Sequence, residues 1–331
     1  MVEPILKITG LKKWFPIRMG LLGSLVSKKQ YYVRAVDGID LEVRRGEIYG
    51  LVGESGSGKT TTGRMIVRLI NPTKGKILFD NRDITFLPDK ALKPIRQKMQ
   101  IIFQDPYDSL NPQMTIFNIV AEPLQSLGLS SGSELEERVR KAIEDVELTP
   151  PEEFILRYPH ELSGGQRQRV ATARALIVNP EFVIADEPVS MLDVSIRAEV
   201  LNLMLQLMEK RNVSFFYITH DLALARHICT RIGVMYLGKM MERADAEGLI
   251  KEPLHPYTKA LIAAVPVPDP SSKRADVVIK GEIPSPVNPP PGCRFHTRCP
   301  EYIGDICKTQ EPLMVEPSNR HFVACHLYSK H

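Results

Sequence analysis

The sequence predicts an α/β fold with a largely parallel sheet covered by helices, and three observations carry that prediction. Apolar runs of strand length alternate with stretches whose apolar residues recur at helical spacing, the order expected of parallel strands joined by helical crossovers. A glycine-rich turn, Gly53-Glu54-Ser55-Gly56-Ser57-Gly58-Lys59-Thr60, stands between the strand-like IYGLV and a helix-like run. The apolar run Phe182-Val183-Ile184-Ala185 ends in Asp186 and Glu187, and ligands of open α/β sheets bind at the carboxyl ends of strands. The chain has 331 residues, beyond the ~250 to 300 at which single cores stop growing, so a second, smaller unit is expected.

The elements follow in order. ILKITGL (Ile5–Leu11), AVDGIDLEV (Ala35–Val43) with its alternating apolar residues, and GEIYGLVG (Gly46–Gly53) read as strands. Between the first two lies PIRMGLLGSLVSKKQYYVR (Pro16–Arg34), which has no sustained period and reads as an inserted loop. After the glycine turn, KTTTGRMIVRLI (Lys59–Ile70) sets Met65, Ile66, Leu69 and Ile70 at helical spacing, and GKILFD (Gly75–Asp80) is again a strand. SELEERVRKAIEDV (Ser133–Val146) carries acidic residues early, which suits a helix N-terminus, and aligns Val139, Ile143 and Val146 on one face. A helix opening near Gly164, the strand FVIAD, a helix over Ile196–Lys210, the strand SFFYIT (Ser214–Thr219), a helix from Leu222 and the strand RIGVMYL (Arg231–Leu237) complete the alternation.

Beyond Val265 the texture changes. PVPDPSSKR (Pro266–Arg274) and IPSPVNPPPG (Ile283–Gly292) hold too many prolines for a helix interior or a central strand, so a linker is expected, with a compact cysteine-rich appendage after it. The division expected is 1–265 for the main domain and 266–331 for linker and appendage.

Composition excludes several classes. With 43% hydrophobic and 25% charged residues the chain is that of an ordinary globular protein. Its net charge of +4, carried by dispersed basic residues, does not form the concentrated face that nucleic acid requires. MVEPILKITGLKKWF lacks the features of a signal peptide, and no apolar run approaches the ~20 residues of a membrane helix, so a cytosolic chain is expected.

The glycine turn fits the G-x-x-x-x-G-K-[ST] phosphate loop in its required setting, between a strand and a helix. Its glycines let backbone N–H groups curl around phosphates, and the helix N-terminus adds positive potential. Lys59 supplies a point charge, the Thr60 hydroxyl can ligate Mg²⁺, and Thr61 follows in the first helical turn. At the end of FVIAD, Asp186 is placed to hold Mg²⁺ and Glu187 to polarise an attacking water. Leu162-Ser163-Gly164-Gly165-Gln166 precedes a helical run, so its amides and the Ser163 hydroxyl make a second anion-facing helix start. Singly, a strand ending in Asp-Glu is a solvated strand end and SGG a helix-start turn; their combination is what is specific.

On GESGSGKT, LSGGQ, FVIADE and their order, residues 1 to 265 resemble the ATP-binding subunit of an ABC transporter. The resemblance implies an ABC-type P-loop ATPase domain with a mixed, largely parallel sheet, a helical subdomain at roughly residues 105 to 175, and ATP with Mg²⁺ as cofactors. It assigns Gln104, in IIFQDP, to the loop that senses Mg²⁺ and couples to the membrane subunits, and His220, in YITHD, to the γ-phosphate. Glu187, His220 and Gln104 are thus the implied catalytic set. Ser190-Met191-Leu192-Asp193 occupies the D-loop position; the family more often has alanine where Met191 stands, but Asp193 is retained. An aromatic near the N-terminus stacks on adenine in the family, and Phe15 matches best, with Tyr31 and Tyr32 as alternatives. In such ATPases two copies bind head to tail, so that LSGGQ of one closes over the nucleotide on the other.

LHPYTKALIAAVPVPDP (Leu254–Pro270), the inserted loop and DPYDSLNP after Gln104 are similar to the dipeptide and oligopeptide permease branch. By itself HPYTKALIAAV is only a capped amphipathic helix offering Tyr257, Leu261 and Val265. The branch implies a peripheral protein on the cytoplasmic face of the membrane. Its partners would be a second ATPase subunit, the same or different, two membrane permeases and an external solute-binding protein, with no nucleic acid. Related branches carry oligosaccharides, nickel chelates or glutathione, and soluble ABC ATPases act outside transport altogether.

Four of the five cysteines, Cys293, Cys299, Cys307 and Cys325, crowd the tail. In a reducing compartment such clusters favour metal over disulfide, and no C-x-x-C pair marks a zinc knuckle. The permease ATPases that the tail resembles carry a [4Fe-4S] cluster on matching cysteines, which makes the cluster the expected cofactor. Zn²⁺, with His296, His321 or His326 as further donors, stays open as the alternative.

Overall fold

The computed structural model describes residues 3–17, 30–264, 279 and 281–329. In chain order its strands are β1 (Pro4–Pro16), β2 (Tyr32–Arg44), β3 (Ile48–Val52), β4 (Lys74–Phe79), β5 (Arg82–Asp83), β6 (Met99–Ile102), β7 (Phe182–Asp186), β8 (Ser214–Thr219), β9 (Arg231–Tyr236), β10 (Lys239–Asp245), β11 (Val315–Ser318) and β12 (His321–Val323). The chain divides into two compact units, one of Met1–Ile5, Val43–Glu47 and Phe86–Ile218, the other of Leu6–Glu42, Ile48–Thr85 and Thr219–His331.

In the first unit β6, β7 and β8 run parallel, with Met99 opposite Phe182 and Phe182 opposite Ser214. Every residue of β7 and β8 is buried, which is why these strands are apolar throughout and do not alternate. The helix Ile116–Leu127 is capped by Thr115 Oγ1, which accepts from the Asn118 N–H at 3.4 Å, and closes on Gly128 in the left-handed region. Gly132–Asp145 buries Leu135, Val139, Ala142 and Ile143; Val139 and Ile143 belong to the face read from the sequence, while Val146 is buried as the residue that closes the helix. The helix Gly164–Leu176 packs so close to its neighbour Val194–Lys210 that a Cβ at Gly165 would lie 2.7 Å from Ile196 Cγ2.

The second unit holds two sheets. One runs in the order β2-β1-β4-β5, with β1, β4 and β5 antiparallel. The other runs β11-β12-β10-β9-β3, with β3 and β9 parallel and β9, β10 and β12 antiparallel. Leu237 and Gly238, at φ +41° and +80°, form the tight turn between β9 and β10. Periodicity does not mark β10, β11 or β12. Through β12 the cysteine-rich tail joins the edge of β10, Glu242 lying opposite Val323.

Two expectations need correction. The helix after the glycine turn spans Lys59–Ile66 and does not reach Ile70. Arg68 turns into the left-handed region at φ +56°, because its buried guanidinium donates to the Ile84 carbonyl at 2.8 Å and to Asn71 Oδ1 at 2.7 Å. The loop expected over Pro16–Arg34 is shorter, since β1 runs to Pro16 and β2 starts at Tyr32; residues 18–29 lie outside the described residues. So do Pro266–Arg274 and Val265, whereas Ile283–Gly292 is free of helix and strand.

Candidate nucleotide site

The glycine turn leaves β3 in the second unit and ends where the helix begins at Lys59. Two of its glycines are forced by close approach. A Cβ at Gly53 would lie 2.1 Å from the Met235 carbonyl oxygen, and one at Gly58, at φ +105°, would lie 2.2 Å from that of Ala35. Gly56, at φ +75°, has open space around it. Lys59 is 4% exposed, and its Nζ donates to the Gly53 and Glu54 carbonyls at 2.8 and 3.0 Å. A buried ammonium wrapped by backbone at a helix N-terminus can receive a polyphosphate. Thr60 and Thr61 are half-buried, in the first turn of that helix. His220 follows β8 and is exposed, and Asp221 beside it caps the helix Leu222–Ile228.

Asp186 and Glu187 close β7 in the first unit. Asp186 is 2% exposed. Glu187 adopts φ +47°, a conformation that costs a side-chain-bearing residue about 1 to 2 kcal/mol. It is held there by its N–H to the Ile218 carbonyl at 2.9 Å and by the Ser190 hydroxyl and N–H, which donate to its carbonyl at 3.0 and 3.1 Å. Gln104 Nε2 donates to the Glu187 carboxylate at 3.3 Å and lies 3.5 Å from Ser190 Oγ. The fold thus brings together two predicted residues 83 positions apart. Arg197, which sequence reasoning missed, donates to the Leu192 and Ser190 carbonyls at 2.7 and 3.1 Å and fixes the segment holding Met191 and Asp193, both exposed.

Ser163 and Gln166 form a reciprocal capping box. The Gln166 N–H donates to Ser163 Oγ at 3.3 Å, and the Ser163 N–H donates to Gln166 Oε1 at 2.9 Å. The hydroxyl proton of Ser163 stays available, beside the first-turn amides of Gly164 and Gly165 that no helical carbonyl can satisfy. Phe15 is 39% exposed at the end of β1, with Lys13 Nζ 4.9 Å from its ring centre. Tyr31 is also exposed, whereas Tyr32 packs against Trp14 with ring centres 6.2 Å apart.

All five cysteines are free thiols. Burial pushes Cys293 up to about 12, with the other three tail thiols adding to the rise, and pushes Cys299 up to about 11, with Cys325 and Cys307 adding. The Cys293 N–H donates to the Cys307 carbonyl at 2.9 Å. Four thiols from separate segments therefore sit within electrostatic reach of one another. Among the described residues, no three His, Cys, Asp or Glu side chains converge as a group that could hold a metal ion.

Comparison with known proteins accords with this geometry. Residues 36–190 match the family model described as ABC transporter, and residues 241–307 match the one described as oligopeptide/dipeptide transporter, C-terminal region. The oligopeptide transport ATP-binding protein AppF of Bacillus subtilis is 51% identical over 330 residues, covering 99% of this chain and 98% of that protein. Among solved structures, the ATP-binding cassette MJ0796, seen as a dimer in a post-hydrolysis state with ADP and Pi, is 31% identical with a TM-score of 0.62, covering 73% of this chain and 98% of that one. The cbiO1 protein of Clostridium perfringens, part of the ABC transporter complex cbiONQ, is 25% identical with a TM-score of 0.62, covering 76% and 92%. The fold is the α/β ABC cassette, and an identity of one residue in two along essentially the whole of AppF settles the membership: this chain belongs to the ATP-binding subunits of the oligopeptide and dipeptide ABC transporters.

Proposed function

We propose that the chain hydrolyses ATP to drive import of di- and oligopeptides through a membrane ABC transporter. The observation that carries the reading is the end-to-end likeness to an oligopeptide transport ATP-binding protein, which includes the C-terminal region beyond the nucleotide motifs. The buried Lys59 and the open turn at Gly56 suit a bound polyphosphate. On this reading Gly53 to Thr61 bind the phosphates, Phe15 stacks on adenine, and Thr60, Gln104 and Asp186 are ligands of Mg²⁺. Mg²⁺, when bound, neutralises phosphate charge. Glu187 orients and polarises the attacking water, its carboxylate steadied by Gln104, and His220 faces the γ-phosphate.

Ser163 to Gln166, with Asp193, serve the nucleotide of a second ATPase subunit, identical or different. Two permeases and an external solute-binding protein complete the assembly, with residues 1–265 as ATPase domain and 266–331 as linker and metal-binding tail. Among the described residues no helix is long and apolar enough to cross a membrane, which suits a subunit bound peripherally at the cytoplasmic face. Glu187→Gln is the test. Loss of the general base lowers ATP turnover by about 100-fold or more and leaves an ATP-bound dimer visible by size exclusion; undiminished turnover would remove Glu187 from its role. Peptide uptake that survives loss of the chain would overturn the transport reading.

A second reading concerns the tail. Cys293, Cys299, Cys307 and Cys325 are the proposed holders of a [4Fe-4S] cluster, with Zn²⁺ as the alternative. The donor chemistry fits: four thiols lie within mutual electrostatic reach, and burial raises the pKa of Cys293, Cys299 and Cys325, which keeps those three protonated until a metal takes the proton's place. Their present placement does not itself enclose a metal, so loading requires the side chains to turn toward one another. Anaerobic purification with iron, sulfide and zinc analysis decides. Stoichiometric zinc without sulfide assigns the zinc site, and absence of all three leaves free thiols.

A further inference from the structure

Taking Gly53–Thr60 as an ATP-binding phosphate loop, we infer that Arg298, carried by the cysteine-rich tail, is a positioning residue of the nucleotide site. It grips Glu54 and so makes ATP affinity depend on how the tail is seated.

Glu54 is the second residue of the loop and is held at three points, all within one unit. Its N–H donates to the Tyr257 hydroxyl at 2.9 Å, and its carbonyl accepts from Lys59 Nζ at 3.0 Å. Its carboxylate accepts from both terminal nitrogens of Arg298, at 2.8 and 3.2 Å. That fork is the strong form of an arginine–carboxylate contact, and the Arg298 side chain is only 10% exposed. The phosphate-loop motif leaves this position open and asks nothing of its side chain. A carboxylate here is therefore a liability, since it places negative charge in the segment that must receive polyphosphate and beside the lysine that must neutralise it. Arg298 cancels that charge and fixes the loop in one geometry.

The grip is seated by the tail itself. The Arg298 N–H donates to the Phe295 carbonyl at 2.9 Å, and the His296 N–H to the Cys293 carbonyl at 3.1 Å, so residues 293–298 form one closed turn. Phe295, fully buried, anchors that turn with its ring centre 5.3 Å from Tyr236 and 5.2 Å from Tyr257. Tyr236 also takes a 3.3 Å hydrogen bond from Arg298. One aromatic cluster thus positions two of the three groups that hold Glu54, Tyr257 and Arg298.

The full-length protein carries the test, through the KM for ATP hydrolysis and titration with a fluorescent ATP analogue in Mg²⁺. Arg298→Ala weakens analogue binding and raises KM by about tenfold, the lower end of the range for a lost hydrogen bond to a charged group, with the loss falling mainly on KM and not on kcat. Arg298→Lys, which keeps the charge but loses the fork, lies between. The decisive variant adds Glu54→Gln to Arg298→Ala: removing the uncancelled carboxylate recovers most of the lost affinity, which no general damage to the tail would do. Unchanged affinity in Arg298→Ala, or a double variant as weak as Arg298→Ala, overturns the inference. Wild-type protein that binds no analogue, or Lys59→Ala that binds it as tightly as wild type, instead overturns the phosphate-loop reading beneath it. Trp14 fluorescence confirms that each variant is folded, and Arg298→Lys keeps the question answerable should Arg298→Ala not fold.

Discussion

His255 makes the folded protein acid-sensitive, and the size of the effect follows from its surroundings. It is 1% exposed, its Nδ1 accepts the Tyr257 N–H at 3.0 Å to cap the helix Pro256–Ala263, and its backbone N–H donates to the Glu242 carboxylate at 2.8 Å. A proton on Nδ1 would set donor against donor and charge a buried ring. Burial accordingly lowers its pKa from 6.5 to about 4, against the pull of Glu242. The unfolded chain takes up this proton near pH 6.5 while the folded chain refuses it until about pH 4, so stability is full above the first value and falls as pH drops toward the second. At about 1.4 kcal/mol per pH unit, the whole window is worth about 3 kcal/mol and the step from pH 6.5 to 5 about 2 kcal/mol. His255→Asn keeps an acceptor at the cap and removes the titration. Urea unfolding followed by the fluorescence of Trp14, the one tryptophan, at pH 7.5 and 5.0 measures the difference: wild type loses about 2 kcal/mol more than the variant. Equal losses in the two proteins would refute the assignment of the acid sensitivity to His255.

Other variants probe other parts of the molecule. Lys59→Ala removes the ammonium held between the Gly53 and Glu54 carbonyls and lowers ATP affinity by roughly 10- to 100-fold, the range of a charged hydrogen bond, read by nucleotide titration. Asp37 is buried and accepts from Arg294 at 2.6 Å and from Trp14 Nε1 at 3.0 Å. Asp37→Asn removes the carboxylate paired with the buried Arg294 and costs about 3 to 5 kcal/mol, with a shift in Trp14 emission because the indole loses a charged acceptor.

How much of this was readable beforehand depended on whether the cause was local. Phe182–Asp186 and Ser214–Thr219 were legible because strands buried on both faces must be apolar throughout, and the glycine turn because it keeps Gly53 and Gly58 where any side chain would strike the Met235 or Ala35 carbonyl. The helix from Lys59 was overextended because Leu69 and Ile70 keep helical spacing, while the interaction that ends it, Arg68 with Ile84 and Asn71, has no period. The left-handed backbone of Glu187 was invisible for the same reason, since it is imposed by Ile218 and Ser190.

The tail shows the limit most clearly. Its segments are short and proline-rich, with little apolar surface to form a core among themselves. Phe295 is nevertheless fully buried, among Tyr236, Tyr257 and His255, and Val323 is buried where β12 meets β10. The tail packs on residues that precede it in the chain, so hydropathy within the segment underestimates what holds it. A contact that spans 244 residues, as Arg298 and Glu54 do, leaves no trace in the pattern of either segment. Packing on Tyr236 and Tyr257 therefore places the turn from Cys293 to Arg298, a source of order that no pattern within the tail announces.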